Sequence, residues 1–140
     1  RGLVTAELDA YGHPVLCVPG ASEHTGRKVA DWLKRQARTD IEAAVARHTA
    51  ALGVKATAIS LRDTRSRWGS CASNGRLSFS WRLILAPPEI LDYVAAHEVA
   101  HLREMNHSDR FWALCRQLAP HTPPARQWLK DEGGKLHLFG

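Results

Sequence analysis

His97-Glu98-Val99-Ala100-His101, with His107 six residues further on, is the stretch from which the rest of the chain can be read. Two histidines four apart in a helix stand one above the other on the same face. Both imidazoles then reach one metal ion at about 2.0–2.1 Å. Glu98 is rotated by roughly 100° from His97. Its carboxylate falls beside such an ion, where it can hydrogen-bond a water without taking up a coordination position. A shuffled chain with the same 8 His would show the pattern only about 0.02 times. This is the H-E-x-x-H arrangement of zinc hydrolases, whose catalytic ion has three protein ligands and a fourth position for water. His107 is the expected third ligand, because it follows the end of the helix and a turn there brings its imidazole back to the ion. Glu104 competes for that place but lies about 5 Å further along the helix axis, which suits a supporting or solvated role.

Outward from this stretch, Pro87-Pro88 opens the helix and Glu89 favours the positive end of its dipole. Ile90, Leu91, Val94, Val99 and Leu102 supply its buried positions, and Met105-Asn106 is the expected end, since asparagine tolerates the left-handed conformation. Ser108-Asp109 caps another helix, in which Phe111, Leu114, Cys115 and Leu118 form a core-facing stripe. Pro120 stops it. Thr122-Pro123 starts a last helix carrying Trp128 and Leu129, and Gly133-Gly134 ends it. His121 and Tyr93 are weaker candidates for stabilising an oxyanion.

Upstream, Thr57 to Leu61 alternates as a strand, Ala72-Ser-Asn-Gly75 signals a turn and Arg76 to Ser80 reads as the next strand. The strand at Leu77–Ser80 is the expected rim along which an extended substrate would hydrogen-bond. Between the strands, Arg62, Arg65 and Arg67 surround Trp68. Two readings stay open there: a grip on phosphates or carboxylates with Trp68 stacked on a base, or Trp68 in the core and the arginines solvated. From Gly26 to Leu52 the apolar spacing is helical, with Thr39-Asp40 a candidate break into two helices. Leu3–Leu8 and Pro14–Val18 read as short strands joined by a turn at Tyr11-Gly12-His13-Pro14. A few short strands among several helices make an α+β chain.

At 140 residues the chain is read as one domain, 1–140, large enough for a core without staples. Arg1 in place of Met leaves room for a missing N-terminal segment. No run approaches the roughly 20 apolar residues of a membrane span. Cys17, Cys71 and Cys115 are odd in number and lack C-x-x-C spacing, which speaks for buried free thiols and a reducing, cytoplasmic setting. The formal charge of +5 permits an anionic partner such as nucleic acid without demanding one.

The run Tyr93-Val-Ala-Ala-His-Glu-Val-Ala-His-Leu-Arg-Glu-Met-Asn-His-Ser108, with Phe111-Trp112 just after it, resembles the YgjP-like metallopeptidase domain. Arg65-Ser-Arg-Trp-Gly-Ser-Cys71 and Trp81-Arg-Leu-Ile-Leu-Ala-Pro87 match that family's other blocks in the same order. The resemblance is firm from about Thr57 to Leu129 and is related to the SprT-like and WLM proteins. It implies a zincin-like fold, with a small, mostly antiparallel sheet packed on several helices including the H-E-x-x-H helix. It also implies one Zn2+ per chain on His97, His101 and His107, with Glu98 as general base in hydrolysis of a protein or peptide substrate. Glu104 stands where metzincins carry a glycine, and no later Met-turn follows, so the chain is not a standard metzincin. A metal-dependent nucleotide phosphohydrolase and a DNA-associated zinc protein with little hydrolytic activity are the competing classes.

Overall fold

One stripe on a long helix sets the position of everything else. In the computed structural model, which describes residues 5–8, 14–17 and 23–138 (side chains from residue 26), helix α1 runs unbroken from Glu23 to Leu52. Val29, Leu33, Ala37, Ile41, Ala44, Val45 and Leu52 are its buried apolar positions, three or four apart as one helical face requires. The expected break at Thr39-Asp40 does not occur. Both residues are exposed, and the Thr39 hydroxyl donates to the Arg35 carbonyl at 3.1 Å, so its hydrogen bond is made inside the helix rather than against it. Gly53, at φ 73°, closes α1 in the left-handed conformation.

Two further short strands, β1 (Thr5–Leu8) and β2 (Pro14–Cys17), pair antiparallel. The turn expected between them, and the candidate cap Ser22, lie outside the described residues. After α1 come β3 (Ala58–Arg62), β4 (Gly69–Cys71) and β5 (Arg76–Ser80), in the spatial order β3-β5-β4. β3 is parallel to β5 and β4 is antiparallel to it. The Ala72–Gly75 turn makes the β4–β5 hairpin, with Gly75 at φ 88° and its N–H donating to the Ala72 carbonyl at 2.9 Å.

The alternation of β5 gives the sheet two unlike faces. Leu77 and Phe79 are fully buried and point inward, while Arg76 is exposed and Ser78 half-buried on the outward side. The expectation that β5 forms the rim is corrected here. Both of its edges are paired, and β4 is the outer strand that runs against the next helix.

A 310 turn at Trp81–Leu85 then leads into α2 (Pro88–His101). Arg82 is buried beside it, with Nε and Nη2 donating to the Asp63 carboxylate at 2.7 and 3.3 Å and Nη1 to the Leu136 carbonyl at 3.2 Å. Those bonds hold the Asp63 carboxyl below the usual carboxylate range and fix one end of the 63–68 loop. Helices α3 (Asp109–Leu118) and α4 (Thr122–Glu132) follow, and the chain continues past Gly133 as a 310 segment to Leu138. No helix among the described residues is long and apolar enough to cross a membrane.

Candidate active site

Helix α2 begins at Pro88, as the diproline predicts, but it ends at His101, four residues before the expected stop. Its last turn tightens instead, with Leu102 and Arg103 N–H groups donating to the Val99 and Ala100 carbonyls. Asn106 does not close the helix in the left-handed conformation, since no non-glycine residue among those described has positive φ. The early stop frees the Glu104 carbonyl to turn inward, where it accepts from His101 Nδ1 at 3.0 Å. A proton on Nδ1 leaves the Nε2 lone pair as the coordinating one. His101 Nε2 faces His107 Nε2 at 3.0 Å.

His97, His101 and His107 each present a ring nitrogen, and the three atoms lie within 4.8 Å of one another. Their side chains are graded in exposure, with His97 half-buried, His101 buried and His107 exposed. Burial pushes the His101 imidazole below its ordinary pKa, against weaker raising effects from the Glu104 carbonyl and the Glu98 charge. The neutral, ligating form is therefore favoured. Two imidazole nitrogens opposed at hydrogen-bond distance, with a third close by, form a donor set that fits a borderline-soft divalent ion.

Aromatic rings hold the imidazoles. Phe111, fully buried on α3, stacks on His101 at 4.2 Å and meets His97 and His107 edge-on at 4.9 and 5.0 Å. Trp112 lies stacked near His107 at 5.7 Å, and the Arg126 guanidinium sits over Trp112 at 4.2 Å. Tyr93, one turn before His97, meets it edge-on at 5.8 Å. Burial pushes the Tyr93 phenol well above its ordinary pKa, so it remains a protonated donor. The α3 cap forms as expected, the Ser108 hydroxyl accepting from Phe111 N–H at 3.3 Å, and this places Phe111 and Trp112 against the histidines.

Glu98 is 4% exposed, and its Oε2 lies 3.1 Å from His97 Nδ1. Strand β4 presses on it from the sheet side. A Cβ on Gly69 would stand 3.0 Å from both Glu98 Cγ and Oε2 and 3.1 Å from Val94 Cγ1, so tight that these side chains would have to give by a few tenths of an ångström. Gly69 is thus what lets the strand approach the carboxylate. In the sequence Gly69 carries only its place in the Arg65–Cys71 block, which gives no sign of this approach.

Other candidates fall elsewhere. The Glu104 carboxylate is not among the clustered ligand atoms; its main chain does the work described above. His121 pairs with Asp92 at 3.2 Å, alongside His48, whose Nε2 lies 2.8 Å from the same carboxylate. Burial raises the thiol pKa of Cys71 and of Cys115, so neither offers a thiolate at neutral pH. Trp68 packs, stacked on His137 at 4.9 Å. Arg62, Arg67 and Arg76 line a cavity on the outward face of the sheet, and Gly69 and Ser70 of β4 stand in its wall.

A model of the YgjP-like, metallopeptidase domain family matches residues 4–132. The crystal structure of the metallopeptidase zymogen of Pyrococcus abyssi abylysin is similar to this chain with a TM-score of 0.59 and 17% identity. That similarity covers 66% of this chain and 95% of the other and carries the fold alone. Among curated proteins none matches.

Proposed function

The chain belongs to the YgjP-like metallopeptidase domain family, and from that premise we propose that it is a zinc-dependent peptidase with Glu98 as its general base. One observation carries the reading: three imidazoles with nitrogens within 4.8 Å beside a carboxylate that is 4% exposed. A structural zinc needs four protein ligands and no base. Here three histidines and an adjacent carboxylate stand together, the set that metal-assisted hydrolysis needs.

His97, His101 and His107 would hold the ion. Bound zinc supplies Lewis acidity, bringing the pKa of a water to about 7 and polarising a carbonyl. Glu98 takes the proton of the attacking water and returns it to the leaving amine, so the peptide bond breaks without a covalent enzyme intermediate. Gly69 keeps the carboxylate's neighbour small, and His97 Nδ1 at 3.1 Å holds the carboxylate by a hydrogen bond. The outer edge of β4 is unpaired among the described residues, and an extended peptide would take its main-chain hydrogen bonds there.

Metal content of wild type and His107→Ala, purified side by side, tests the ligand set. About one zinc per wild-type chain and much less in the variant is expected. Zinc retained in full by His107→Ala moves the third ligand elsewhere. Proteolysis of an unfolded protein by wild type, with none by Glu98→Gln at equal zinc content, is the expected activity pair; an active Glu98→Gln sinks the mechanism.

A further inference from the structure

On the outward face of the sheet, with Gly69 and Ser70 of β4 in its wall, lies a half-open cavity of about 380 Å³. We propose that this cavity is a binding site for a phosphate-bearing ligand, held by Arg62, Arg67 and Arg76 with the hydroxyls of Ser66, Ser70 and Ser78. The proposal goes beyond the peptidase reading and does not depend on it.

The strand register builds the site. Ser78 pairs with Ser60 on one side and Ser70 on the other, and directly opposed residues share a face. Arg76 projects from the same face, its Nη1 donating to the Ser60 hydroxyl at 2.9 Å. Arg62 ends β3 on that side. The 63–68 loop closes the cavity, braced by the Thr64 hydroxyl donating to the Arg67 carbonyl at 3.0 Å and by the Asp63–Arg82 ion pair at 2.7 Å.

Charge is what marks this cavity out from ordinary solvated surface. No Asp or Glu is among its lining residues. Asp63, next in sequence to Arg62, is committed to the buried Arg82. Among the described residues, Arg62, Arg67 and Arg76 take part in no ion pair. Like charges gathered in one concavity repel each other and focus a positive field there, and an anion relieves both effects. Guanidinium groups bind phosphate and carboxylate alike as two-pronged donors. A tetrahedral phosphate, with three free oxygens, also uses hydroxyl donors arriving from a third direction, and three serines supply them. A cavity of this volume lies in the range of small-ligand sites.

The test is titration of the zinc-loaded chain followed by amide chemical shifts. Inorganic pyrophosphate, a 12-nucleotide single strand and glutarate are the probes. Pyrophosphate is expected to move the amides of residues 66–70 and 76–78, and Arg62→Gln and Arg67→Gln, each made singly, to weaken it by about tenfold or more. Arg65→Gln removes the same charge from a residue that does not line the cavity and is expected to cost less than about twofold. Tighter binding of the single strand than of pyrophosphate assigns the phosphates to a nucleic-acid backbone, and equal binding assigns them to a free phosphorylated molecule. Both outcomes support the site. Equal weakening by all three arginine substitutions, shifts confined to residues 97–107, glutarate binding as tightly as pyrophosphate, or no saturable binding would each overturn it.

Discussion

Strand β4 divides two regions built on opposite principles. On its inner side, Gly69 lets the backbone lie against Glu98, and the polar groups, from buried Glu98 and His101 to exposed His107, are committed to one another and to the main chain. His101 Nδ1 is bonded to the Glu104 carbonyl at 3.0 Å and Glu98 to His97 at 3.1 Å, with Phe111 packed against all three imidazoles. On its outer side, Ser70 faces a cavity whose arginines are exposed and unpaired among the described residues. The inner region is preorganised, so its energetics lie in geometry. The outer region is a concentration of charge, so its energetics lie in electrostatics and fall with salt. Small displacements should therefore be costly inside and cheap outside.

The largest expected effect is at the carboxylate. Glu98→Gln should lower turnover by about 10²–10⁴-fold, the usual contribution of a positioned general base, with zinc content unchanged by elemental analysis. Next is the ring that orders the imidazoles. Phe111 is fully buried, and Phe111→Ala should cost about 3–5 kcal/mol in urea unfolding, with weaker zinc retention. A loss below 1 kcal/mol would show that the wall is not what holds the site.

Gly69→Ala puts a methyl where 3.0 Å separates it from Glu98. The carboxylate must shift, and turnover should fall by about tenfold or more while zinc content holds. Unchanged turnover would mean that Glu98 has slack, which would remove the sharpest contrast between the two sides of β4.

A smaller effect separates the regions by pH. The Arg82 guanidinium keeps Asp63 ionised below its usual range. A depressed folded-state pKa contributes stability above the unfolded-state value, and that contribution is lost as pH falls through the folded one. Asp63→Asn should therefore melt at a lower temperature than wild type near pH 7, and the gap should close below about pH 4. Asp63 is half exposed, so the gap is modest. A gap that persists in acid would show that the loop is held by something other than this pair. Smallest of all, Arg65→Gln should change turnover by less than about twofold.

The recurrence of His97, His101 and His107 around one helix end was legible because ligand chemistry constrains residue type and spacing together. The capping of α3 by Ser108 and the hairpin turn at Ala72–Gly75 were legible for a similar reason, since each is decided within four residues. The continuity of α1 was not. Thr39-Asp40 carries a helix-start signal, but a single apolar face from Val29 to Leu52 packed on the core outweighs it.

The amino-acid sequence by itself determined the kind of site, because His97, Glu98 and His101 share one helix at fixed spacing and His107 follows within reach of its exit turn. Only the tertiary structure decided which strand borders it. The order β3-β5-β4 places the last strand in sequence in the middle, and a strand's neighbours are chosen by long-range pairing that no local pattern records. That same choice turned Gly69 toward Glu98 and the arginines away from it. Along a strand, successive side chains point to opposite faces, so one residue of register separates the side of the sheet that meets Glu98 from the charged one.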